Sequence, residues 1–344
     1  MDYYYHSSTH SDRLGILGGC LIDVLAEIKP SESDRLKRLN AINQLDNCLR
    51  NVQTLRGAAV KPFGSFVSNL YTKWGDLDVS VQLDTTLGTS ASKKVKNNAL
   101  RHIKKALHAY GLTHNVQFIP NARVPLLIFQ SNYYNVSFDV SINNHLGIMK
   151  SKIILWISQM DERFRDMVLL TKEWAKAQGI NDPKCGTLNS YSLCLLIIFH
   201  FQTCENPILP PLKEIFHGNI SDYVTGWTFI SEQNIEDVCA ANIRRFRPHR
   251  RRNQSSLAQL LVSFFHKFRN IRDLATEYAI CTYTGGWERI SSHAKWANKP
   301  HSILIEDPFE QPENAARAVG LRQLFEISDA FTDAYNKLSS SALQ

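Results

Sequence analysis

The chain lacks any apolar stretch long enough to cross a lipid bilayer. Spanning takes about 20 consecutive apolar residues, and the longest apolar run here, residues 193–201, is interrupted by His200. The N-terminal segment MDYYYHSSTHSD is polar and lacks the cationic-then-apolar order of a signal or transit peptide. We therefore expect a protein of the cytoplasm or the nucleus, with no membrane partner.

Cysteine is present but follows no pattern. The seven cysteines are scattered, without a C-x-x-C pair and without Cys/His spacing typical of a zinc site. This argues against a disulfide framework and indicates reduced thiols. The chain also lacks a G-x-S-x-G motif, and no cysteine has a recognisable histidine partner. Serine and cysteine hydrolase chemistry therefore finds no support.

The overall composition is that of a globular protein, with 44% hydrophobic and 21% charged residues. A length of 344 residues exceeds the usual domain of about 150 and predicts two domains. The net charge of +7 is concentrated, because residues 244–252 hold six arginines and no acid. Such a run is typical either of a docking patch for a polyanion or of a helix end whose cations offset the dipole.

Hydrophobic periodicity divides the chain into three parts. Residues 1–59 read as N-terminal helices that we expect to pack on a helical domain, and residues 60–150 as short strands, among them Val116–Ile119, with a basic amphipathic helix near 92–110. Residues 151–344 read as helical almost throughout, with a last helix at 313–339 and a glycine-containing loop at TYTGGW. The predicted fold is a small α/β domain with a mixed sheet, followed by a mostly α-helical second domain.

Three aspartates lie on predicted strands of the α/β domain. Asp76 and Asp78 flank Leu77 at the start of one strand, and Asp139 lies on the polar side of VSFDVSI. Because side chains alternate along a strand, Asp76 and Asp78 share a face. Carboxylates grouped in this way suit Mg²⁺, and paired ions stabilise the attacking and leaving oxygens of phosphoryl transfer. Alone, such a D-x-D is more often a solvated strand face.

Upstream, Gly64 and Ser65 supply a hydroxyl group and unhindered backbone N–H groups, which are suited to holding a phosphate. A lone Gly-Ser is usually only a turn. The pair gains meaning from its place before WGDLD and the later acid.

In this order, the motifs resemble the nucleotidyltransferase superfamily of DNA polymerase β. Two further segments, LLTKEWAKAQGINDPKCGTLNSYSLCLLIIFHF and SILIEDPFEQPENAARAV, narrow the resemblance to RNA-specific terminal nucleotidyltransferases, the non-templated poly(A) and poly(U) polymerases. Within that family the chain is most similar to the plant uridylyltransferases that tail unmethylated small RNAs. The resemblance covers residues 35–335, and it implies an active site in the cleft between the two domains, with a nucleotide-recognition segment at 302–320.

The resemblance implies roles for residues that match the family motifs. Asp76, Asp78 and Asp139 would be the catalytic, metal-binding acids, with Asp139 as base toward the RNA 3′-hydroxyl. Tyr191 would stack on the base, and Asp307 with Glu310 would read its edge. Ser65, Ser190, Lys172 and Lys176 would hold the triphosphate. Nucleotide-binding residues would be Gly64, Ser65, Lys172, Lys176, Ser190, Tyr191, Asp307, Glu310 and Glu313.

Each assignment has a plainer alternative. Lys172 and Lys176, four residues apart on one helix, share a face that would otherwise read as a solvated edge. Tyr191 precedes the apolar run SLCLLIIF and could be a core aromatic residue, while the EDP around Asp307 is a common loop and helix-start sequence. One departure from the family concerns Glu313, which replaces a histidine of several uridylyl-adding members. It weakens the expected preference for UTP over ATP.

The expected reaction is template-independent transfer of UMP from UTP to the 3′-hydroxyl of RNA, the 3′ uridylation that marks small RNAs for decay. The expected cofactor is Mg²⁺, with Mn²⁺ as the alternative ion. Expected partners are UTP, a single-stranded RNA 3′ end and proteins of small-RNA silencing, and we expect a monomer. The alternatives are a non-canonical poly(A) polymerase using ATP and a catalytically inactive RNA-binding relative.

A first prediction concerns the arginine run. If Arg250, Arg251 and Arg252 contact RNA phosphates, replacing all three by alanine should weaken RNA binding with little dependence on sequence. Each lost contact should flatten the log–log salt dependence of binding by up to about one unit. An unchanged slope in a filter-binding titration over salt concentration would assign these arginines to a solvated helix end.

Overall fold

The computed structural model of the chain describes residues 2–83, 92–220, 222, 229–246, 253–298 and 300–339. The chain forms two compact units. We call them the sheet unit, residues 28–159 and 220–240, and the helical unit, residues 1–27, 160–219 and 241–344.

The sheet unit is a five-stranded mixed sheet covered by helices. Its elements are α2 (Glu32–Arg50), β1 (Ala59–Pro62), α3 (Gly64–Val67), β2 (Leu77–Gln82), α4 (Lys93–Ala109), β3 (Val116–Ile119), β4 (Leu126–Gln130), β5 (Ser137–Ile142) and α5 (His145–Ser158). The strand order is β1-β2-β5-β4-β3. Only β2 and β5 pair in parallel, and the remaining neighbours are antiparallel.

The helices of this unit begin where short polar side chains can cap them. In α2, Ser31 accepts from the backbone N–H of Asp34, while the Asp34 carboxylate accepts from that of Ser31, a capping box. Ser92 caps α4 by accepting from the N–H of Val95. A further helix, α8 (Phe229–Phe246), adds its residues up to 240, and its Glu236 is ion-paired with Lys152 of α5.

The core of the sheet unit includes both α2 and α4. Leu45 and Leu49 of α2 join Ile103 and Leu107 of α4 and the strand residues in one buried cluster. The prediction that residues 1–59 pack as a block on the helical domain therefore does not hold for residues 28–59. The apolar stripe of α2 packs on the sheet unit instead, and that unit ends at 159 rather than 150 because α5 belongs to it.

The helical unit contains the remaining helices and one hairpin. Its elements are α1 (Asp2–Ile28, up to residue 27), α6 (Glu162–Ala177), α7 (Ser190–Thr203), α9 (Leu257–Phe268), α10 (Ile271–Leu274), β6 (Tyr278–Cys281), β7 (Gly286–Arg289), α11 (Ala294–Ala297) and α12 (Leu321–Ser339). Among the described residues, no helix is long and apolar enough to span a bilayer.

Aromatic side chains form much of the helical core. The ring of Trp174, in the KEWAK segment of α6, lies with its centroid 4.7 Å from that of Phe265 and 5.0 Å from that of Phe331. Phe264 and Phe268 also pack on Phe331. The tryptophan of this motif therefore ties α6 to α9 and α12.

The segment 302–320 forms no helix, although the sequence suggested one from 313. Its residues 304–306 run beside β6 instead, with Ile280 N–H donating to Leu304 O and Glu306 N–H to Ile280 O. The hairpin β6–β7 that supports it had been predicted only as a glycine-containing loop. The predicted combination of a mixed α/β domain and a mostly helical one is confirmed.

Candidate active site

The parallel pairing of β2 with β5 brings two of the predicted acids together. Asp78 and Asp139 are direct partners in the register of these strands. Their strand neighbours Leu77, Val79 and Phe138 are buried, whereas the two aspartates are half-buried on the opposite face. Burial of the apolar face thus fixes the register that sets the two carboxylates side by side.

Asp76 lies one residue before β2 and is exposed. Within the described ranges, no three His, Cys, Asp or Glu side chains form a closed metal-binding group. The convergence of Asp76 with Asp78 and Asp139 on one ion therefore stays a prediction.

Gly64 lies directly against the Asp78 carboxylate. Its φ is +67°, a conformation that favours glycine, and a Cβ on it would lie 2.0 Å from Oδ2 of Asp78. The Gly64 N–H donates to the Ser151 Oγ at 2.6 Å, and that hydroxyl donates to Gly147 O within α5. The space at Gly64 is thus already filled by a carboxylate oxygen, and Ser65 follows at the start of α3.

This arrangement fits Mg²⁺. The available donors are hard carboxylate oxygens, two of them on neighbouring strands, and two adjacent carboxylates repel one another unless a cation or a proton neutralises them. Asp76, Asp78 and Asp139 are therefore the residues that would hold the ion.

A buried arginine supports the segment before Asp76. Arg38 of α2 is 3% exposed and donates to the carbonyl groups of Lys73 and Gly75 at 3.0 and 2.8 Å. Burial lowers the pKa of its guanidinium, while Tyr71, Asp34 and Asp76 act in the opposite direction. Sequence reasoning missed Arg38. Its position on the apolar stripe of α2, three and four residues before Ala41 and Ile42, was the available signal.

In the helical unit, Ser190 and Tyr191 begin α7. The Asn189 side chain caps this helix by accepting from the N–H of Ser192 at 2.7 Å, and the Ser190 hydroxyl lies 3.2 Å from the Asn181 amide oxygen. Neither asparagine was singled out from the sequence. Together they fix the first turn of α7, where the predicted triphosphate-binding serine lies.

Tyr191 and Asp307, the two residues expected at the base, are in direct contact. The Tyr191 hydroxyl donates to Oδ1 of Asp307 at 3.1 Å. Burial, reinforced by the charge of Asp307 and its hydrogen bond, raises the pKa of Tyr191 well above its usual value, so the hydroxyl stays a donor. Tyr191 is thus neither purely a core residue nor an isolated surface ring.

The loop that carries Asp307 closes on itself. Asp307 Oδ1 also accepts from the N–H of Phe309 at 3.1 Å, and the backbone N–H of Asp307 donates to Glu313 O at 2.8 Å. The Glu313 N–H in turn donates to Glu310 O at 2.8 Å. Asp307 is 5% exposed, so this loop holds its carboxylate in one place.

Glu313 lines a cavity of about 550 Å³ together with His301, Asn314 and Arg317. Neither Tyr191 nor Asp307 is among the residues that line it. The structure therefore does not bring Glu313 to the same cavity as the predicted base contacts.

The two predicted triphosphate lysines differ in their surroundings. Lys172 is 8% exposed on α6 and lies near the Cys194 thiol. The pKa of this thiol is raised to about 12, because the effect of burial exceeds the opposite effect of the Lys172 charge. Lys176 lies at the surface and is ion-paired with Glu173 at 3.0 Å. The predicted RNA contacts Arg250, Arg251 and Arg252 lie outside the described residues.

Several known proteins resemble this chain in sequence or fold. The chain is 50% identical to HESO1 of Arabidopsis thaliana over 93% of its own length and 63% of that protein's. It is 28% identical to the terminal uridylyltransferase cid1 of Schizosaccharomyces pombe over 92% of this chain and 78% of that one. A crystal structure of the Cid1 poly(U) polymerase with Mg 3′-dATP bound superposes with a TM-score of 0.75 and 25% identity, covering 95% of both chains.

Residues 17–159 match the family model described as the central palm domain of poly(A) RNA polymerase, mitochondrial-like. The chain is thus similar to nucleotidyltransferases of the terminal uridylyltransferase and poly(A) RNA polymerase type. Its similarity to HESO1 extends well beyond the palm, through the helical unit, although the chain spans less than two thirds of that relative's length.

A second prediction tests the contact between Gly64 and Asp78. In Gly64→Ala the new Cβ displaces the Asp78 carboxylate, and we expect nucleotidyl transfer to fall about 100-fold, as for a reacting group misplaced by about 1 Å. Gly111→Ala is the matched control. Gly111 has a φ of +65° but open space around the added Cβ.

Both variants carry a similar backbone strain of about 1–2 kcal/mol, and only Gly64→Ala must also displace Asp78. Urea denaturation should therefore show that both variants fold, with the larger loss of stability in Gly64→Ala, while only Gly64→Ala loses activity. Equal activity in the two variants would mean that the position of Asp78 does not matter for the reaction.

Proposed function

We propose that this protein transfers UMP from UTP to the 3′-hydroxyl of RNA without a template and releases pyrophosphate. The observation that carries the proposal is the register pairing of Asp78 with Asp139 beside the Gly64–Ser65 turn. The similarity to a terminal uridylyltransferase of fission yeast supports the choice of UTP.

The acids have distinct tasks in this reaction. The 3′-oxygen of RNA attacks the α-phosphorus of UTP while the bond from that phosphorus to the bridging oxygen of pyrophosphate breaks. Asp139 accepts the proton of the 3′-hydroxyl, and Asp76 and Asp78 complete the carboxylate group. When bound by these carboxylates, Mg²⁺ neutralises charge on the attacking and leaving oxygens. We propose Mn²⁺ as an alternative ion.

The helical unit supplies contacts to the nucleotide. Lys172, Lys176 and Ser190, with Ser65 of the sheet unit, bind the triphosphate, and Tyr191 stacks on the base. Uracil presents an N3–H donor, and the Asp307 carboxylate, held by the N–H of Phe309, accepts from it. Adenine presents a lone pair at N1, which the same carboxylate repels.

RNA binding by this chain would use its local basic surfaces. Helix α4 carries six lysines and arginines and no acid between residues 92 and 110, and its outer residues Lys93, Lys94, Arg101 and Lys105 are exposed. A surface of one charge sign attracts the phosphate backbone without regard to sequence.

We propose single-stranded RNA 3′ ends as substrates, silencing proteins as partners, a monomeric state and a cytoplasmic or nuclear location.

A third prediction tests the reaction itself. Incubating the chain with Mg²⁺, a labelled single-stranded RNA and each of the four NTPs in turn should give extension with UTP foremost. Asp139→Asn should abolish extension, because the amide neither accepts the proton nor carries the charge that binds the ion. The control Asp329→Asn removes an exposed carboxylate of α12 and should leave extension unchanged.

The outcomes separate the candidate functions. Preference for ATP would identify a poly(A) polymerase, as relatives of this chain such as the poly(A) RNA polymerase GLD2 of mouse and human are named. RNA binding without incorporation of any NTP would identify an inactive relative. Near-parental extension by Asp139→Asn would contradict the carboxylate mechanism.

A fourth prediction concerns Glu313. An ionised carboxylate cannot donate to uracil O4 as a histidine could, so Glu313→His should raise the ratio of kcat/KM for UTP over ATP by about tenfold, the worth of one hydrogen bond. Glu326→His, at an exposed position of α12, is the control for adding a histidine. An unchanged ratio would show that Glu313 serves the cavity that it lines with His301 and not the base.

A further inference from the structure

Arg38 is a charged residue in an apolar place. It lies on the face of α2 that also carries Ala41, Ile42 and Leu45 of the sheet-unit core. Although it is charged, it is only 3% exposed. Burying a guanidinium costs free energy unless its donors are satisfied. Its partners therefore indicate why it is there.

All of its hydrogen bonds in the described structure go to backbone carbonyl groups. One terminal nitrogen donates to Asp34 O at 3.1 Å, within α2, and the other donates to Lys73 O at 3.0 Å and Gly75 O at 2.8 Å. The guanidinium also lies over the Tyr71 ring, 4.9 Å from its centroid. Because the guanidinium is planar and rigid, it fixes carbonyl groups of two segments at once, which a lysine cannot do.

The hydrogen bonds of Arg38 do not satisfy all of its donors, so stability alone does not explain its position. Its Nε, which is buried, meets no acceptor among the residues described. An unpaired buried donor costs free energy, so a well-packed apolar residue would serve the core of α2 better. The reason for an arginine at this position therefore lies in the segment that it holds.

That segment, residues 71–75, leads directly into Asp76. It is closed by a turn in which the Gly75 N–H donates to Thr72 O at 2.8 Å, and the Lys73 N–H donates to Ile28 O at 3.0 Å. With Lys73 and Gly75 also held through their carbonyl groups, the backbone is restrained up to the residue before Asp76. The capping box of Ser31 and Asp34 restrains the helix end from which Arg38 reaches across.

We propose that Arg38 is a positioning residue for the metal-binding acids: it holds the backbone of residues 73–75 so that Asp76 is directed toward the ion that it shares with Asp78 and Asp139. The inference rests on the proposed nucleotidyl transfer. Arg38 touches neither substrate nor ion. It limits Asp76 to rotation of its side chain, so that less freedom is lost when the ion binds.

The test measures metal binding separately from catalysis. Mn²⁺ is titrated into the full chain and the free ion is followed by electron paramagnetic resonance, with thermal unfolding and kcat measured on the same samples. In Arg38→Lys the charge remains but the fork is lost. We expect the Kd for Mn²⁺ to rise about 10- to 100-fold, the usual effect of removing a group that orients metal ligands. The KM for UTP at saturating metal should change little.

The control is Arg35→Lys. Arg35 lies on the same helix, is exposed, and is ion-paired with Glu32, so this variant should match the parent in Kd, kcat and Tm. Should Arg38→Lys fail to fold, Tyr71→Leu keeps the arginine and removes only the ring beneath it. This variant should raise the Kd in the same direction by a smaller factor.

Chemical rescue distinguishes positioning from general support of the fold. Free guanidinium at millimolar concentration, far below denaturing levels, should lower the Kd for Mn²⁺ of Arg38→Ala by about fivefold or more, if it occupies the vacated site. It should not affect Arg35→Ala.

The outcomes are distinct. A folded Arg38→Lys with a Kd for Mn²⁺ within twofold of the parent value overturns the inference while leaving the proposed function intact. A parent chain that binds no Mn²⁺ and transfers no nucleotide overturns the proposed function first.

Discussion

The parallel pairing of β2 with β5 is the constraint on which the candidate site depends. It is the one parallel contact in an otherwise antiparallel sheet, and it sets Asp78 directly beside Asp139. A one-residue slip of β2 would turn Asp78 into the core and expose Val79, so burial of the apolar face opposes any other register. The cost of placing two like charges together is thus met by hydrophobic packing.

The helical unit uses hydrogen bonds for a similar purpose. The Asp307 carboxylate is fixed by the Tyr191 hydroxyl from α7 and by the N–H of Phe309 in its own loop. The strand-like segment before it is supported by β6. A carboxylate that is oriented in advance loses little freedom when a ligand binds.

The sequence predicted what local patterns encode. Both ends of the strand Val116–Ile119 were predicted correctly. Asp78 and Asp139 were expected to belong to one carboxylate group before the register of their strands was known. Features that depend on contacts between residues far apart in the sequence were not predicted. The hairpin β6–β7 looked like a loop because its strands are only four residues long, and the true limits of the two units followed from where the stripe of α2 packs.

The site residues show the same division. A charged side chain is normally read as a surface residue, so Arg38 was passed over although its spacing matched the buried face. Its meaning depends on carbonyl groups more than 30 residues away, which no short motif records. Asn181 and Asn189 were missed for a different reason, since an asparagine in a loop reads as a turn until its contacts with the first turn of α7 are seen.

The packing of α2 in the sheet unit determines how much of the N-terminal part of that unit can be removed without unfolding it. A fragment that starts at β1 would keep the three candidate metal-binding aspartates and the Gly64–Ser65 turn. It would nevertheless expose to water the apolar surface that Leu45 and Leu49 cover, and it would lack Arg38, which holds the backbone before Asp76. Limited proteolysis between α1 and α2 should therefore leave the sheet unit folded, whereas cleavage just after α2 should unfold it. We expect a fragment of this unit that folds on its own to begin at or before Ser31, where the capping box starts α2.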